Sequence, residues 1–264
     1  MPGTTWLGLC DWYVARAKPA ERPHGKVSVV VPARNESGNI RRILDEMPKM
    51  GTGVEIIFVE GHSKDDTWET IQREAKRYNG HATVRTMQQT GKGKKDASFL
   101  GFEKATGDVL MIFDADVTVP PADLPKFYEA IRSGDGEFIN GTRLVYPMQD
   151  EAMRFLNLLG NRFFAAAFSY IMGQPLKDTL CGTKVLSRRN WERLDELRKS
   201  EFGARDPFGD FDLLFGASRL QLKIVEVPIR YQARTYGETN ISRWSHGWML
   251  LKMSGWGLQS LKFI

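Results

Sequence analysis

Two carboxylates one residue apart, Asp114 and Asp116, close the apolar run in VLMIFDADVTVPP (109–121). The run is composed like a buried strand, whose side chains alternate between two faces. Were the strand to end at Phe113, both acids would lie in the loop beyond it and could turn together. Such an oxygen pair suits a hard divalent cation, magnesium or manganese, above all when a substrate phosphate completes the shell. An acidic turn that merely ends a strand has the same composition. The local sequence leaves both open.

The elements around this pair narrow the choice. VSVVVPA (27–33) is a β-branched, strand-like run, and the following ESGNIRRILDEM is a helix with Ile40, Ile43, Leu44 and Met47 on one face. EIIFVE (55–60) is the next strand; SKDDTWETIQREAKRY then carries capping residues and a helix presenting Trp68, Ile71 and Ala75. Residues 83–87 form a weaker strand, and DASFLGFEKATG is helical up to Gly107, a natural stop. This alternation predicts an α/β sheet covered on both faces. Open sheets of that kind bind ligands at the carboxyl ends of their strands. PARNE (32–36), EGHSKDD (60–66), TGKGKKD (90–96) and DAD (114–116) therefore gather on one rim, as a phosphate and metal site requires and a purely structural protein does not.

The second half is less regular. EAMRFLNLLGNRFFAAAFSYIMG (151–173) is a long helix, apolar around most of its circumference, with Arg154 and Arg162 near its start. It is either a core helix or one partly immersed in a membrane interface. GTKVLSRR and KIVEVPIRYQ follow as strands, separated by the acidic FGDFDLLFGASRL. The tail SRWSHGWMLLKMSGWGLQSLKFI carries Trp244, Trp248 and Trp256 among aliphatic residues. Tryptophan favours the headgroup layer, so the tail either lies on a membrane or docks on its own domain or a partner.

Composition sets outer limits. The 264 residues suffice for one large domain. A net charge of +5, from 37 basic and 32 acidic residues, suits an anionic ligand or an acidic membrane surface, and with no long Lys/Arg tract no nucleic-acid partner is expected. Cys10 and Cys181 alone give neither a disulfide framework nor a cysteine metal cluster, which points to a reducing, cytoplasmic setting. The first 26 residues lack the basic start and apolar middle of a secretion signal. No run approaches the roughly 18 apolar residues that cross a bilayer.

The ordered set VSVVVPARNE, VEGHSKDDT, ATGDVLMIFDAD, GTR (141–143), DTLCGTK and EVPIRYQARTYGET resembles family-2 glycosyltransferases of the GT-A fold, and most closely the branch containing dolichol-phosphate mannose synthase. The resemblance covers roughly residues 26–240. It implies an N-terminal extension over 1–25, a GT-A domain over 26–240 and an amphipathic interfacial or docking helix over 241–264. That domain is a Rossmann-like, mostly parallel central sheet flanked by helices.

The resemblance also implies roles. A magnesium or manganese ion on Asp114 and Asp116, with Ala115 between them, would neutralise the leaving diphosphate of a UDP- or GDP-sugar donor. Arg143, Lys184 and Arg234 would grip phosphates of donor or acceptor. Pro32, Ala33, Arg34, Asn35, Glu36 and Glu60 would form the nucleotide pocket, a carboxylate there accepting a base N–H. Glu60 and Gly61 stand where relatives have an Asp-Asp pair, Arg34 where the lipid-phosphate branch often has Tyr, and Lys184 in place of that branch's Arg. GKGKK (91–95), followed by Asp96, is not a P-loop; Lys92 and Lys94 lie in a flexible loop over the diphosphate or in a solvated hairpin.

A polyprenyl phosphate acceptor already carries the attacking charge, whereas an alcohol needs a base. Asp210 and Asp212 resemble the acidic motif that supplies that base, although Asp210 would equally serve as a helix cap. Direct displacement would invert the anomeric centre. The preferred acceptor is the lipid phosphate, with peripheral contact at the inner face of a membrane; a sugar or other hydroxyl acceptor is the alternative, and the sequence does not specify an oligomeric state. A sugar-phosphate nucleotidyltransferase would show a glycine-rich, arginine-containing loop where PARNE stands. A non-catalytic nucleotide-sugar binder is the remaining rival.

Overall fold

The structure is a computed structural model and describes residues 22–143, 155–202, 206, 209–234, 236 and 243–262. Arg154 and most of the YGET segment lie outside these residues, as does the side chain of Trp244. The first half alternates as its apolar periodicity predicts: β1 (Val27–Ala33), α1 (Ile40–Glu46), β2 (Val54–Glu60), α2 (Thr67–Arg77), β3 (Thr83–Gln88), α3 (Gly93–Lys104) and β4 (Val109–Ile112). Then follow α4 (Leu124–Arg132), β5 (Phe138–Thr142), α5 (Phe155–Met172), β6 (Lys184–Ser187), α6 (Arg188–Leu197), α7 (Asp210–Arg219), β7 (Ile224–Pro228) and α8 (Arg243–Lys262).

Among the described residues, seven strands form one mixed sheet in the order β3-β2-β1-β4-β6-β5-β7. All neighbours are parallel except β6, which runs antiparallel to both β4 and β5. Alternate residues of each strand feed two cores. Val27, Val29 and Val31 pack with Ile40, Ile43 and Leu44 of α1, Ile71 of α2 and Phe127 of α4. Val30, Leu110, Ile112 and Phe138 pack on the other face with side chains of α3, α5, α6, α7 and α8. Phe168 stacks against both Phe211 at 5.2 Å and Phe215 at 5.3 Å in a three-ring cluster, so truncating it to Ala would cost about 3–5 kcal/mol.

The basic run GKGKK is neither a free loop nor a hairpin. Gly93 adopts φ +87°, which its lack of a Cβ permits, and α3 starts there with Lys94 and Lys95 in its first turn. The tail is helical and docks on the chain itself. Leu250 and Met253 are buried, and Trp256 meets the Phe215 ring edge-on at 5.4 Å. Trp248 and Leu251 face outward, 62% and 48% exposed. No helix of the described residues is long and apolar enough to cross a membrane.

Candidate active site

The sheet brings two kinds of chain end to one rim. β1 to β4 deliver their carboxyl ends there, and the reversal of β6, with Val185 opposite Met111, brings the preceding DTLCG segment alongside. Phe113 N–H still donates to Val30 O at 2.9 Å, so Asp114 is the first residue past the ladder. The turn beyond is tight. Val117, β-branched and buried, holds φ +52°, a conformation such residues rarely adopt, and its N–H donates to Asp114 O at 3.2 Å. Thr118 donates its N–H (3.1 Å) and hydroxyl (2.9 Å) to Asp116 Oδ1, which fixes that carboxylate and leaves Oδ2 facing the rim.

A chain of opposite charges crosses this rim. Glu36 accepts from Arg234 at 3.3 Å, and the same guanidinium donates to Asp116 Oδ2 at 2.7 Å. Lys94 Nζ stands 2.7 Å from Asp114 Oδ1 and 3.9 Å from Asp210 Oδ2; Lys184 Nζ stands 3.5 Å from Asp210 Oδ1 and also donates to Cys181 O. Burial acts to lower the Lys94 pKa, but Asp114 and then Asp210 more than reverse it and hold the ammonium charged. Lys184, fully buried, draws its counter-charge from the same Asp210. The DTLCG segment closes over this cluster at Gly182, where a Cβ would fall 1.8 Å from Asp114 Oδ2 and 2.4 Å from Lys94 Nζ.

Asp210 is not the cap of its helix. Asp206 takes the backbone N–H groups of Phe211 (2.8 Å) and Asp212 (3.1 Å), leaving the Asp210 carboxylate to the two lysines. Asp212, fully buried, pairs instead with Lys95 at 2.5 Å; burial pushes its pKa up to about 6 against the pull of that lysine. Glu36 is likewise pushed up to about 7 by burial, with Arg234 and Asn39 opposing.

The nucleotide-side loops are laced together. Asn35 N–H donates to Ser63 Oγ at 3.0 Å, Lys64 N–H to Asn35 Oδ1 at 2.8 Å, and Glu36 N–H to Thr67 Oγ1 at 2.9 Å. Asn35 and His62 both take φ +56°, the strain of two loops bent toward each other. Glu60 is buried, and burial would raise its pKa, but Ser63 N–H at 2.5 Å and Gln88 Nε2 at 2.9 Å hold it ionised below the usual range. Pro32 and Ala33 line the end of β1, Ala115 is buried between the two acids, and Arg34 and Lys92 are exposed.

Two residues expected to meet ligands have other engagements. Arg143 forms a two-bond fork with Asp178, at 2.6 and 2.7 Å, and lies over the Tyr231 ring. Asp96 accepts Gly91 N–H at 2.9 Å and closes the loop before α3. Lys95, Asp178, Asp206 and Gln89 were not singled out by the sequence. Asp178 and Gln89 bond to partners far along the chain, Asp206 to backbone N–H groups five and six residues on, and Lys95 belongs to a run composed like a loop.

The acids fit a divalent cation. Asp114 and Asp116 supply hard oxygens, and two basic side chains already gather on them, marking where positive charge is stabilised. Among the described residues no cluster of three or more metal-binding side chains occurs, so substrate phosphates and water would complete the shell.

The sequence model of Glycosyl transferase family 2 matches residues 28–192. Dolichol-phosphate mannosyltransferase of Pyrococcus furiosus is 29% identical over 222 residues, 82% of this chain and 59% of that protein. Undecaprenyl-phosphate 4-deoxy-4-formamido-L-arabinose transferase of Pseudomonas aeruginosa is 32% identical over 136 residues, 50% of this chain and 39% of that one. The chain thus spans well under two thirds of either relative. Glucosyl-3-phosphoglycerate synthase from Mycobacterium tuberculosis, solved in complex with Mn2+, uridine diphosphate and glucosyl-3-phosphoglycerate, superposes with a TM-score of 0.66 over 91% of this chain and 81% of that one. At 21% identity that likeness establishes the shared GT-A fold.

Proposed function

This chain belongs to glycosyl transferase family 2, and from that premise we propose that it moves a sugar from a UDP- or GDP-sugar to a polyprenyl phosphate, with inversion. One observation carries the choice of acceptor: Asp210, where a base for an alcohol would be sought, has an ammonium against each oxygen, Lys94 on one and Lys184 on the other. A carboxylate so held does not need to take a proton if the nucleophile arrives already charged, as a phosphate monoester does. Lys184 then serves the acceptor phosphate as a point charge in a buried setting. The relatives named for dolichol phosphate and undecaprenyl phosphate support the same class.

In the transfer, an acceptor phosphate oxygen forms a bond to the anomeric carbon as the bond to the donor's diphosphate breaks from the opposite face. The nucleoside diphosphate leaves with the electron pair. Lys94 and Arg234, already on the rim, offset that charge. Asp114 and Asp116 would hold magnesium or manganese, whose chemistry is Lewis-acid neutralisation of the same group. The PARNE loop and Glu60 orient the nucleotide, and the laced loops hold it without further ordering.

A lipid acceptor brings the protein to a membrane surface. Phe163, Tyr170 and Trp248 are 62–70% exposed on α5 and α8, and the described parts of these helices contain Arg162, Arg243, Lys252 and Lys262 and no acid, a composition suited to peripheral contact on the cytoplasmic face.

The test is acceptor competition with manganese present. Polyprenyl monophosphate is expected to receive label from UDP- or GDP-sugar, while the matching polyprenol and free sugars do not. Transfer to the alcohol at a comparable rate would overturn the reading.

A further inference from the structure

Lys94 and Lys95 open α3, a poor place for lysine: the first turn of a helix presents uncapped N–H groups and the positive end of the dipole, which favour acids. Their counter-charges stand in the first turn of α7, where acids are favoured. Neighbouring helix residues project about 100° apart, and the two lysines use that divergence. Lys94 faces the rim, with Asp114 at 2.7 Å and Asp210 at 3.9 Å. Lys95 meets Asp212, whose carboxylate is fully buried, at 2.5 Å. The two helix starts also touch directly. A Cβ on Gly209, the residue before Asp210, would lie 3.3 Å from Lys95 Cα and 3.1 Å from the ring of Phe99, one turn further along α3. Asp206 fixes the α7 side of that contact by accepting the N–H groups of Phe211 and Asp212. A buried ion pair adds little to stability over apolar side chains of like size, so the pair is better explained by what it holds in place.

We propose that Lys95 and Asp212 are a positioning pair: by clasping the start of α3 to the start of α7 they set Lys94 in its place between Asp114 and Asp210. The inference rests on the transfer proposed above and gives Asp212 a role other than that of a base. Fully buried, Asp212 meets no substrate; it acts through Lys94. Without the clasp, the first turn of α3 can pivot on Gly93, whose φ of +87° and missing Cβ leave it the most permissive point of the run, and the Lys94 ammonium drifts from Asp114.

The test compares wild type, the apolar pair Lys95→Met with Asp212→Leu, Lys94→Ala, and all three substitutions combined. Each is read by melting temperature, by manganese affinity without nucleotide from electron paramagnetic resonance, and by single-turnover transfer to polyprenyl monophosphate. The apolar pair is expected to keep or raise the melting temperature and to bind manganese several-fold more tightly, because Lys94 no longer stands steadily on Asp114. Transfer is expected to slow about 10- to 100-fold, the usual loss when a supporting contact behind a site is removed. Added to Lys94→Ala, the apolar pair is expected to change either readout by less than about twofold, since residues that act through one another do not add. Wild-type manganese affinity or wild-type transfer in the folded apolar pair, or effects that add in full to those of Lys94→Ala, would assign the pair to the core alone and overturn the proposal. Should the apolar pair fail to fold, Asp212→Asn carries the same readouts, and its failure to fold as well would equally overturn it. Wild type that transfers nothing, while manganese affinity shifts as expected, would instead overturn the proposed transfer and leave the positioning intact.

Discussion

Lys94 Nζ bridges Asp114 and Asp210, 2.7 Å from one and 3.9 Å from the other, so a single ammonium ties the proposed metal acid to the proposed acceptor acid. A divalent cation arriving at Asp114 would compete with that ammonium, and in the proposed transfer the same ammonium would meet the leaving diphosphate. Lys94→Ala separates the two effects. Without nucleotide, manganese is expected to bind the variant several-fold more tightly, because its competitor is gone. Turnover is expected to fall about 10²- to 10³-fold, the usual cost of removing a charge-stabilising donor. Manganese titration by electron paramagnetic resonance, beside single-turnover transfer, reads both. Weaker metal binding in the variant would contradict the competition.

Gly182 has no room to change. A methyl group there would overlap Asp114 Oδ2 and crowd Lys94 Nζ. Both are side-chain ends, so the fold can yield by swinging them away and the site cannot. Gly182→Ala is expected to keep the wild-type melting temperature within about 3 °C, a shift of the order that 1 kcal/mol gives in a chain of this size, while transfer falls at least tenfold. Equal activity would show that Asp114 need not hold its present position.

Arg143 poses the opposite case. Its guanidinium is committed to Asp178, which is fully buried, and the pair is held charged by mutual attraction that overcomes burial. Removing one member of such a pair costs about 3–5 kcal/mol, or on the order of 10 °C in melting temperature. Arg143→Ala is therefore expected to lose stability first. A variant of unaltered melting temperature and raised donor or acceptor KM would restore the phosphate-gripping role that the sequence suggests.

Local pattern carried the reading where local chemistry decides. The runs that became β1, β2 and β4 are apolar and short, and the acids of the DAD loop follow directly from where β4 must stop. Local pattern says less where distant partners decide. FINGT contains Asn-Gly, a turn signal, and the sequence assigns it no element; it is β5, fully buried because β6 and β7 flank it on both sides. Arg143 could not be assigned its partner, which lies 35 residues on. Lys94 and Lys95 looked like loop residues, and only the acids at 114, 210 and 212 explain why they open a helix.

Glu36 gives the site a dependence on pH whose sign is fixed. Its ordinary value is 4.5 and its folded value about 7, raised chiefly by burial. Between these values the unfolded chain has lost the proton and the folded chain keeps it, so the folded state binds more protons and stability falls as pH rises through that window. Below pH 4.5 both states are protonated and the group contributes nothing; above about 7 the full penalty is present. Glu36→Gln never ionises and escapes it, while its remaining oxygen can still accept from Asn39 or Arg234. The melting temperature of Glu36→Gln relative to wild type is therefore expected to climb from pH 5 to pH 7 and level off above it, with 1 kcal/mol corresponding to about 2–4 °C. Thermal melts at half-unit steps check this, and a difference that stays flat or narrows with rising pH would show that Glu36 is ionised in the folded protein throughout.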